Sequence, residues 1–245
     1  MLREIEQRIT PSTRAVICTH ASNICSAVLP IAEIGAICRQ HGLLLIVDAA
    51  QSAGILPIDM TAMHIDALAI PGHKALYGIQ GCGALLLGER LSPAPLMEGG
   101  SGVDSLSAGM PADPPERYEA GTLPTPAIVA LAEGIRSLDG QLPEIAQREQ
   151  MLISAARERL SALPDIELYA ADLPGSVLLF NRRGVPAAET GRLLAQHGIC
   201  VRAGLHCAPM AHKALGTPEG GAVRISVGRY NTLAHMDALW KALKQ

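Results

Sequence analysis

Four short apolar runs punctuate the N-terminal part of the chain: RAVICTH (14–20), LLLIVDAA (43–50), IDALAIPG (65–72) and CGALLLG (82–88). Each is strand-length and continuous rather than alternating, the form expected of strands buried on both faces of a mostly parallel sheet. Between the first two, IAEIGAICRQHG carries apolar residues at helical spacing and ends on Gly42, which reads as a crossover helix with a left-handed cap. AAETGRLLAQHGICVRAG (187–204) repeats the helix, Gln-His-Gly, strand order and is read as the same capping solution used twice. An α/β layer follows.

The 36 residues from Leu91 to Pro126 are dense in Gly, Pro and Ser, the mark of a long functional or disordered loop. After them the spacing predicts helices over about 127–138 and 142–163. These lead into a smaller domain containing SVLLFN (176–181), GICVRAG (198–204) and AVRISVG (222–228). The expected division is therefore 1–140, a portion of a large domain, and 141–245, a small C-terminal α+β domain. At 245 residues and 49% hydrophobic composition there is ample material for a core.

Composition removes several function classes. Twenty basic against 23 acidic residues give a formal charge of −3, with only 2% aromatics and no basic block, so a nucleic-acid surface is not expected. No apolar run approaches the ~18 residues of a membrane span. The charged start MLREIEQRIT lacks a signal-peptide core, so the default is a cytoplasmic chain with a small-molecule partner. Cys18, Cys25, Cys38, Cys82, Cys200 and Cys207 show no metal-ligand spacing, and all but Cys207 fall in or beside apolar segments, where a small core residue is the expected role.

Two charged residues stand out against this background. Asp48 closes one apolar run and Lys74 follows another, and in open parallel sheets ligands bind beyond the carboxyl ends of the strands. A lysine stripped of water there can act as a Schiff-base nucleophile, and a carboxylate facing it can keep a heterocyclic nitrogen protonated. That pairing suits pyridoxal phosphate, whose pyridinium serves as an electron sink. A structural Asp–Lys pair near the surface is the other reading of the same residues.

The order THASN (19–23), VDAAQ (47–51), GHK (72–74), YEAGT (118–122), RAGLHCAP (202–209) and VRIS (223–226) resembles the class V aminotransferases of fold type I, and most closely the cysteine desulfurases and selenocysteine lyases. The resemblance implies a fold type I transferase that removes sulfur from L-cysteine, giving L-alanine and a persulfide on Cys207. The alternatives are a selenocysteine lyase or other class V enzyme, and a non-catalytic remnant or one fragment of a split enzyme. By the same resemblance Lys74 is linked to the cofactor and moves protons, Asp48 binds the pyridinium nitrogen, and Gln51 donates to the phenolate oxygen. Asn23 lies near that oxygen and the substrate, and His73, catalytic beside Lys74, helps to hold the phosphate.

Thr122 corresponds to a phosphate contact made to the neighbouring subunit, which implies a homodimer. Arg224, with Arg202 ranked below it, corresponds to the grip on the substrate carboxylate, a task suited to a planar bidentate donor. Cys207, in a mobile loop next to His206, corresponds to the cysteine that takes the sulfur for later transfer to an acceptor protein. Pro71 stands where many relatives have a hydroxyl residue, which removes one phosphate donor. The chain is expected to match the C-terminal two-thirds or so of a desulfurase, beginning mid-domain, without the first strands, a backbone phosphate cradle or the residue that stacks on the pyridine ring. Low activity of this chain alone is expected accordingly.

Overall fold

In the computed structural model, which describes residues 1–103, 106–107, 109–173 and 175–244, the chain divides into two compact units. The first comprises Met1–Cys18, Pro30–Ala50 and Ile58–Leu138; the second comprises Thr19–Leu29, Gln51–Pro57 and Asp139–Gln245. Parts of the long loop, at 104, 105 and 108, lie outside the described residues.

The first unit is built on a mixed sheet of β1 (Ala15–Thr19), β2 (Leu44–Asp48), β3 (Ala67–Pro71) and β4 (Gly83–Leu87), hydrogen-bonded in that order. β2 runs parallel to β3 with Asp48 opposite Ala69, whereas β4 returns antiparallel. Preceding the sheet is α1 (Leu2–Arg8), and the crossover is α2 (Ile31–Gln40), which buries Ile31, Ile34, Ile37 and Cys38 on one stripe. Gly42 takes φ +68°, and Leu43 N–H reaches back to the Cys38 carbonyl (2.8 Å), the left-handed cap read from the sequence. Leu45 and Val47 of β2 are fully buried. Asp66 is buried beside them, accepting the Leu45 N–H at 2.8 Å and lying 3.5 Å from the Arg90 guanidinium.

Burial on both faces does not extend to the whole sheet. Leu85 and Leu86 on the edge strand β4 are 60% and 44% exposed, and Ile17 of β1 is 73% exposed. The continuous apolar run marks strand identity here without marking a covered strand. Beyond the sheet, α3 (Thr125–Arg136) ends this unit.

The second unit is an antiparallel sheet in the order β5 (Ile166–Tyr169), β6 (Val177–Arg182), β8 (Ala222–Ser226), β7 (Arg202–Gly204). Packed with it are α4 (Leu142–Ser161), α5 (Ala187–Gln196) and α7 (Leu233–Leu243). Leu152, Ile153 and Leu160 of α4, Phe180 of β6, Leu194 of α5, Val223 of β8 and Leu243 of α7 form a dry core. The cap of α5 repeats that of α2, with Gly198 at φ +72° and Ile199 N–H on the Leu194 carbonyl.

Three elements of the second unit are additional to the sequence reading, as is α1 of the first. β5 is four residues long, and α6 (Pro209–Leu215) is only two turns, too brief to show a period. α7 did carry a signal: Met236, Leu239 and Leu243 are helically spaced behind a Thr232–His235 capping box. The expected strand over 198–204 shrinks to Arg202–Gly204, and Cys200, which precedes it, is exposed rather than core. Cys38 is buried as expected, while Cys18, Cys25 and Cys82 are half-buried.

Candidate functional site

In the first unit, strand register places two of the candidate groups. Asp48 ends β2 and the loop bearing Lys74 leaves the matching end of β3, so both stand beyond the carboxyl ends of adjacent parallel strands. Both are exposed. The Asp48 Oδ1 accepts the Ala50 N–H at 2.8 Å, an Asx turn that fixes the carboxylate while leaving its other oxygen free to bind.

The Lys74 loop is closed on itself. Gly72 N–H donates to the Cys82 carbonyl (3.0 Å), Gly78 N–H to the Gly72 carbonyl (2.9 Å), and Tyr77 N–H to the Lys74 carbonyl (3.0 Å). A side chain is excluded at its ends: a Cβ on Gly72 would sit 2.8 Å from the Cys82 oxygen, and one on Gly78 would sit 2.9 Å from the Gly72 oxygen. The loop thus holds His73 and Lys74 on a rigid backbone with both side chains in water. Thr122 lies on another part of this unit, exposed, next to Gly121, whose N–H bonds the Gly100 carbonyl at 2.9 Å.

The second unit gathers a different set. Arg202 on β7 lies directly opposite Arg224 on β8, so two guanidinium groups face each other across the ladder. Like charges opposite one another are unfavourable without an anion to share. Arg224 is half-buried, its Nη1 donates to the Asn23 carbonyl at 2.8 Å, and its buried Nε has no hydrogen-bond partner. Burial and the Arg202 charge both hold the Arg224 guanidinium below its ordinary pKa. Asn23 in turn gives its Nδ2 proton to the His206 carbonyl, at 2.8 Å. Gln51 is half-buried in this same unit.

Cys207 is exposed and follows buried His206 in a tight turn, not in an open loop. Both residues are left-handed, at φ +53° and +57°, and Ala208 N–H closes the turn on the Leu205 carbonyl (2.9 Å) just before α6. Within the turn the His206 imidazole meets His212, Nδ1 to Nε2, at 3.0 Å.

One residue escaped the sequence reading altogether. Glu149, on the buried face of α4, is 5% exposed and lines a cavity of about 180 Å³ with Ser26, Gln150 and Ser176. Burial pushes its carboxyl up to about 7, against an opposing hydrogen bond from Ser176, and its Oε2 has no hydrogen-bond partner. A single acidic residue in an otherwise polar-looking helical repeat, QREQ, gave no local sign of burial. Among the described residues no cluster of three or more His, Cys, Asp or Glu could hold a metal ion, and no helix is long and apolar enough to cross a membrane.

An α/β sheet with a carboxylate and a lysine at adjacent strand ends, joined in one chain to an antiparallel domain with paired arginines, is the architecture of a fold type I enzyme. The chain belongs to the class-V aminotransferase family, whose model matches residues 1–239. It is 34% identical over a 251-residue alignment to a probable cysteine desulfurase from Mycolicibacterium paratuberculosis and 35% identical over 239 residues to a cysteine desulfurase from Escherichia coli O157:H7. These alignments take in 100% and 95% of this chain, but only 36% and 58% of the relatives' lengths. Among solved structures, the cysteine desulfurase of Escherichia coli superposes with a TM-score of 0.92 at 28% identity, covering 99% of this chain and 61% of that one. The apo cysteine desulfurase of Thermococcus onnurineus NA1 superposes at 0.91 with 32% identity, covering 99% and 62%. Enzymes of this family work with pyridoxal phosphate.

Proposed function

We propose that the chain carries the chemistry of a pyridoxal-phosphate-dependent cysteine desulfurase. The observation that carries this reading is the pairing of Asp48 and Lys74 at the carboxyl ends of parallel neighbours β2 and β3. The donor set fits the cofactor: a lysine amine on a rigid loop for its aldehyde, a carboxylate for its pyridinium nitrogen, and His73 beside the lysine for its phosphate. Once bound, the cofactor would withdraw electrons from the substrate carbon that bears the amine.

The chain's own residues supply the remaining steps. Arg224 binds the substrate carboxylate, using a guanidinium that already faces the like charge of Arg202 and so gains from an anion. Asn23 orients this arginine through its carbonyl and, with Gln51, donates to polar atoms of the bound molecules. Lys74 takes and returns protons at the substrate carbon. The Cys207 thiol bonds to the substrate sulfur as the carbon–sulfur bond breaks. The electron pair of that bond stays with carbon, which is protonated, so L-cysteine plus the thiol yields L-alanine plus a Cys207 persulfide. The persulfide then passes its outer sulfur to an acceptor protein.

Exposure of Thr122 is in keeping with a phosphate contact made to a second copy, and the working form is read as a cytoplasmic homodimer. The first test is the visible absorbance of the purified chain with added pyridoxal phosphate, before and after borohydride. A band in wild type that borohydride fixes, and that is lost in Lys74→Ala, supports the reading; a wild-type chain without such a band overturns it. Selenocysteine turnover by Cys207→Ala, with none on cysteine, would move the assignment to a selenocysteine lyase.

A further inference from the structure

Three side chains at the base of the Cys207 turn are joined in a row. His206 Nε2 lies 3.1 Å from the Arg202 carbonyl, His206 Nδ1 lies 3.0 Å from His212 Nε2, and His212 Nδ1 lies 2.8 Å from Thr217 Oγ1. Both imidazoles are buried, with near-parallel rings 17° apart. None of the three residues takes part in the chemistry assigned above.

Their protons can be placed by elimination. A carbonyl only accepts, so His206 Nε2 carries the hydrogen, and in a neutral ring Nδ1 must then accept. His212 Nε2 is therefore the donor to it and His212 Nδ1 the acceptor, so of the two acceptors in reach of the Thr217 hydroxyl, that nitrogen at 2.8 Å and the His212 carbonyl at 3.3 Å, the nitrogen takes the proton. Neutral rings are what the surroundings favour. Burial lowers the pKa of both histidines, and on His206 it outweighs the opposing bond to the Arg202 carbonyl, helped by the charges of Arg224 and Arg202. Every donor points the same way, from Thr217 towards Arg202.

That row has something to hold. His206 and Cys207 are consecutive non-glycine residues in the left-handed region, each a conformation that persists only where its surroundings over-determine it. The backbone of the turn is tied at the His206 carbonyl by Asn23 and at Ala208 by Leu205. The Ala208 carbonyl also accepts the N–H groups of Ala211 and His212, both at 3.1 Å, and the imidazole row adds a side-chain tie that runs from the start of β7 through α6 to Thr217, just past its end.

We propose that His206, His212 and Thr217 form a proton-ordered strut that positions Cys207. They act as positioning residues, through the backbone of the turn, and the inference rests on the reading of Cys207 as the sulfur acceptor. His212 carries the strut because it alone bonds both neighbours, donating to one and accepting from the other.

The test uses the full chain and reads the strut directly. Nitrogen-15 spectra of the imidazoles at pH 8 are expected to show His206 and His212 both as Nε2–H tautomers, and a His206 that carries its proton on Nδ1 would overturn the proposal. His212→Phe keeps a planar ring but removes both bonds. It is expected to speed hydrogen exchange of the Ala208 amide at least about tenfold, with the Ile225 amide in β8 unchanged as the control for folding. His212→Gln restores a donor towards His206 and should recover most of the protection, while Thr217→Val should fall between. Equal exchange in all four proteins would sink the strut, as would an equal loss in the Gln and Phe variants. The borohydride-fixed, Lys74-dependent band is expected to be the same in all of them. Its absence from wild type would remove the desulfurase reading and leave the exchange result standing.

Discussion

Lys74 reaches into water from a loop closed by its own backbone, whereas Arg224 is half-buried and its guanidinium is tied to the Asn23 carbonyl. The contrast runs through both units. In the first, Asp48, His73, Lys74 and Thr122 are all exposed, and the leucines of β4 are open as well. In the second, the candidate groups sit over a core in which Phe180, Leu179 and Val223 are wholly buried, and polar neighbours fix their orientation. One unit holds its candidate groups on a rigid backbone; the other holds them on a packed and hydrogen-bonded scaffold. Catalytic groups need both to be held to within a fraction of an ångström, and backbone closure and side-chain packing are two ways of doing so.

The comparison makes unequal predictions for stability. Phe180→Ala should destabilise the second unit by about 3–5 kcal/mol, since it removes a fully buried ring from a close-packed core. Chemical denaturation followed by near-ultraviolet and far-ultraviolet signals would read it, and a loss below 1 kcal/mol would mean that this core is looser than its burial implies. Asp66→Asn tests the best-buried polar contact of the first unit. It should cost about 3 kcal/mol, because the Arg90 charge loses its partner and the Leu45 N–H loses a charged acceptor. A smaller effect than that of an exposed carboxylate such as Glu158 would contradict it.

Glu149 gives the comparison a pH axis. Its folded pKa is raised from 4.5 to about 7, so the folded chain binds that proton more tightly than the unfolded chain. The associated stability is fully present below about pH 4.5 and is lost as pH rises through about 7. Glu149→Gln stays neutral and should therefore gain on wild type by about 3 kcal/mol at pH 8 while nearly matching it at pH 4.5. A pH-independent difference between the two would show that the carboxyl is not the titrating group. At the small end, Leu85→Ser with Leu86→Ser, on the two open faces of β4, should change stability by less than about 0.5 kcal/mol each and reduce self-association measured by light scattering.

Much of the first unit could be read from local order. VDAAQ and GHK sit at the ends of apolar runs, and the strands that those runs form put Asp48 and Lys74 at matching ends. The Gly42 and Gly198 caps were equally plain, because a left-handed residue after a helix leaves a local mark. The open faces of β4 and Ile17 were not readable: a leucine run looks the same whether or not another layer covers it. Cys200 was misplaced for the same reason, since apolar neighbours in sequence do not guarantee burial in space.

Taken alone, the sequence determined the family, the order of the longer strands and helices, and the residue types proposed to meet a cofactor and a substrate, because these depend on neighbours within a few positions. Tertiary structure alone decided the rest: that Arg202 faces Arg224 across two strands, that Glu149 lies buried at a cavity with its Oε2 unpartnered, and that His206 reaches His212 beneath Cys207. Strand register, burial and side-chain hydrogen bonds join residues through space, and their energies are set by what surrounds a group after the chain has folded.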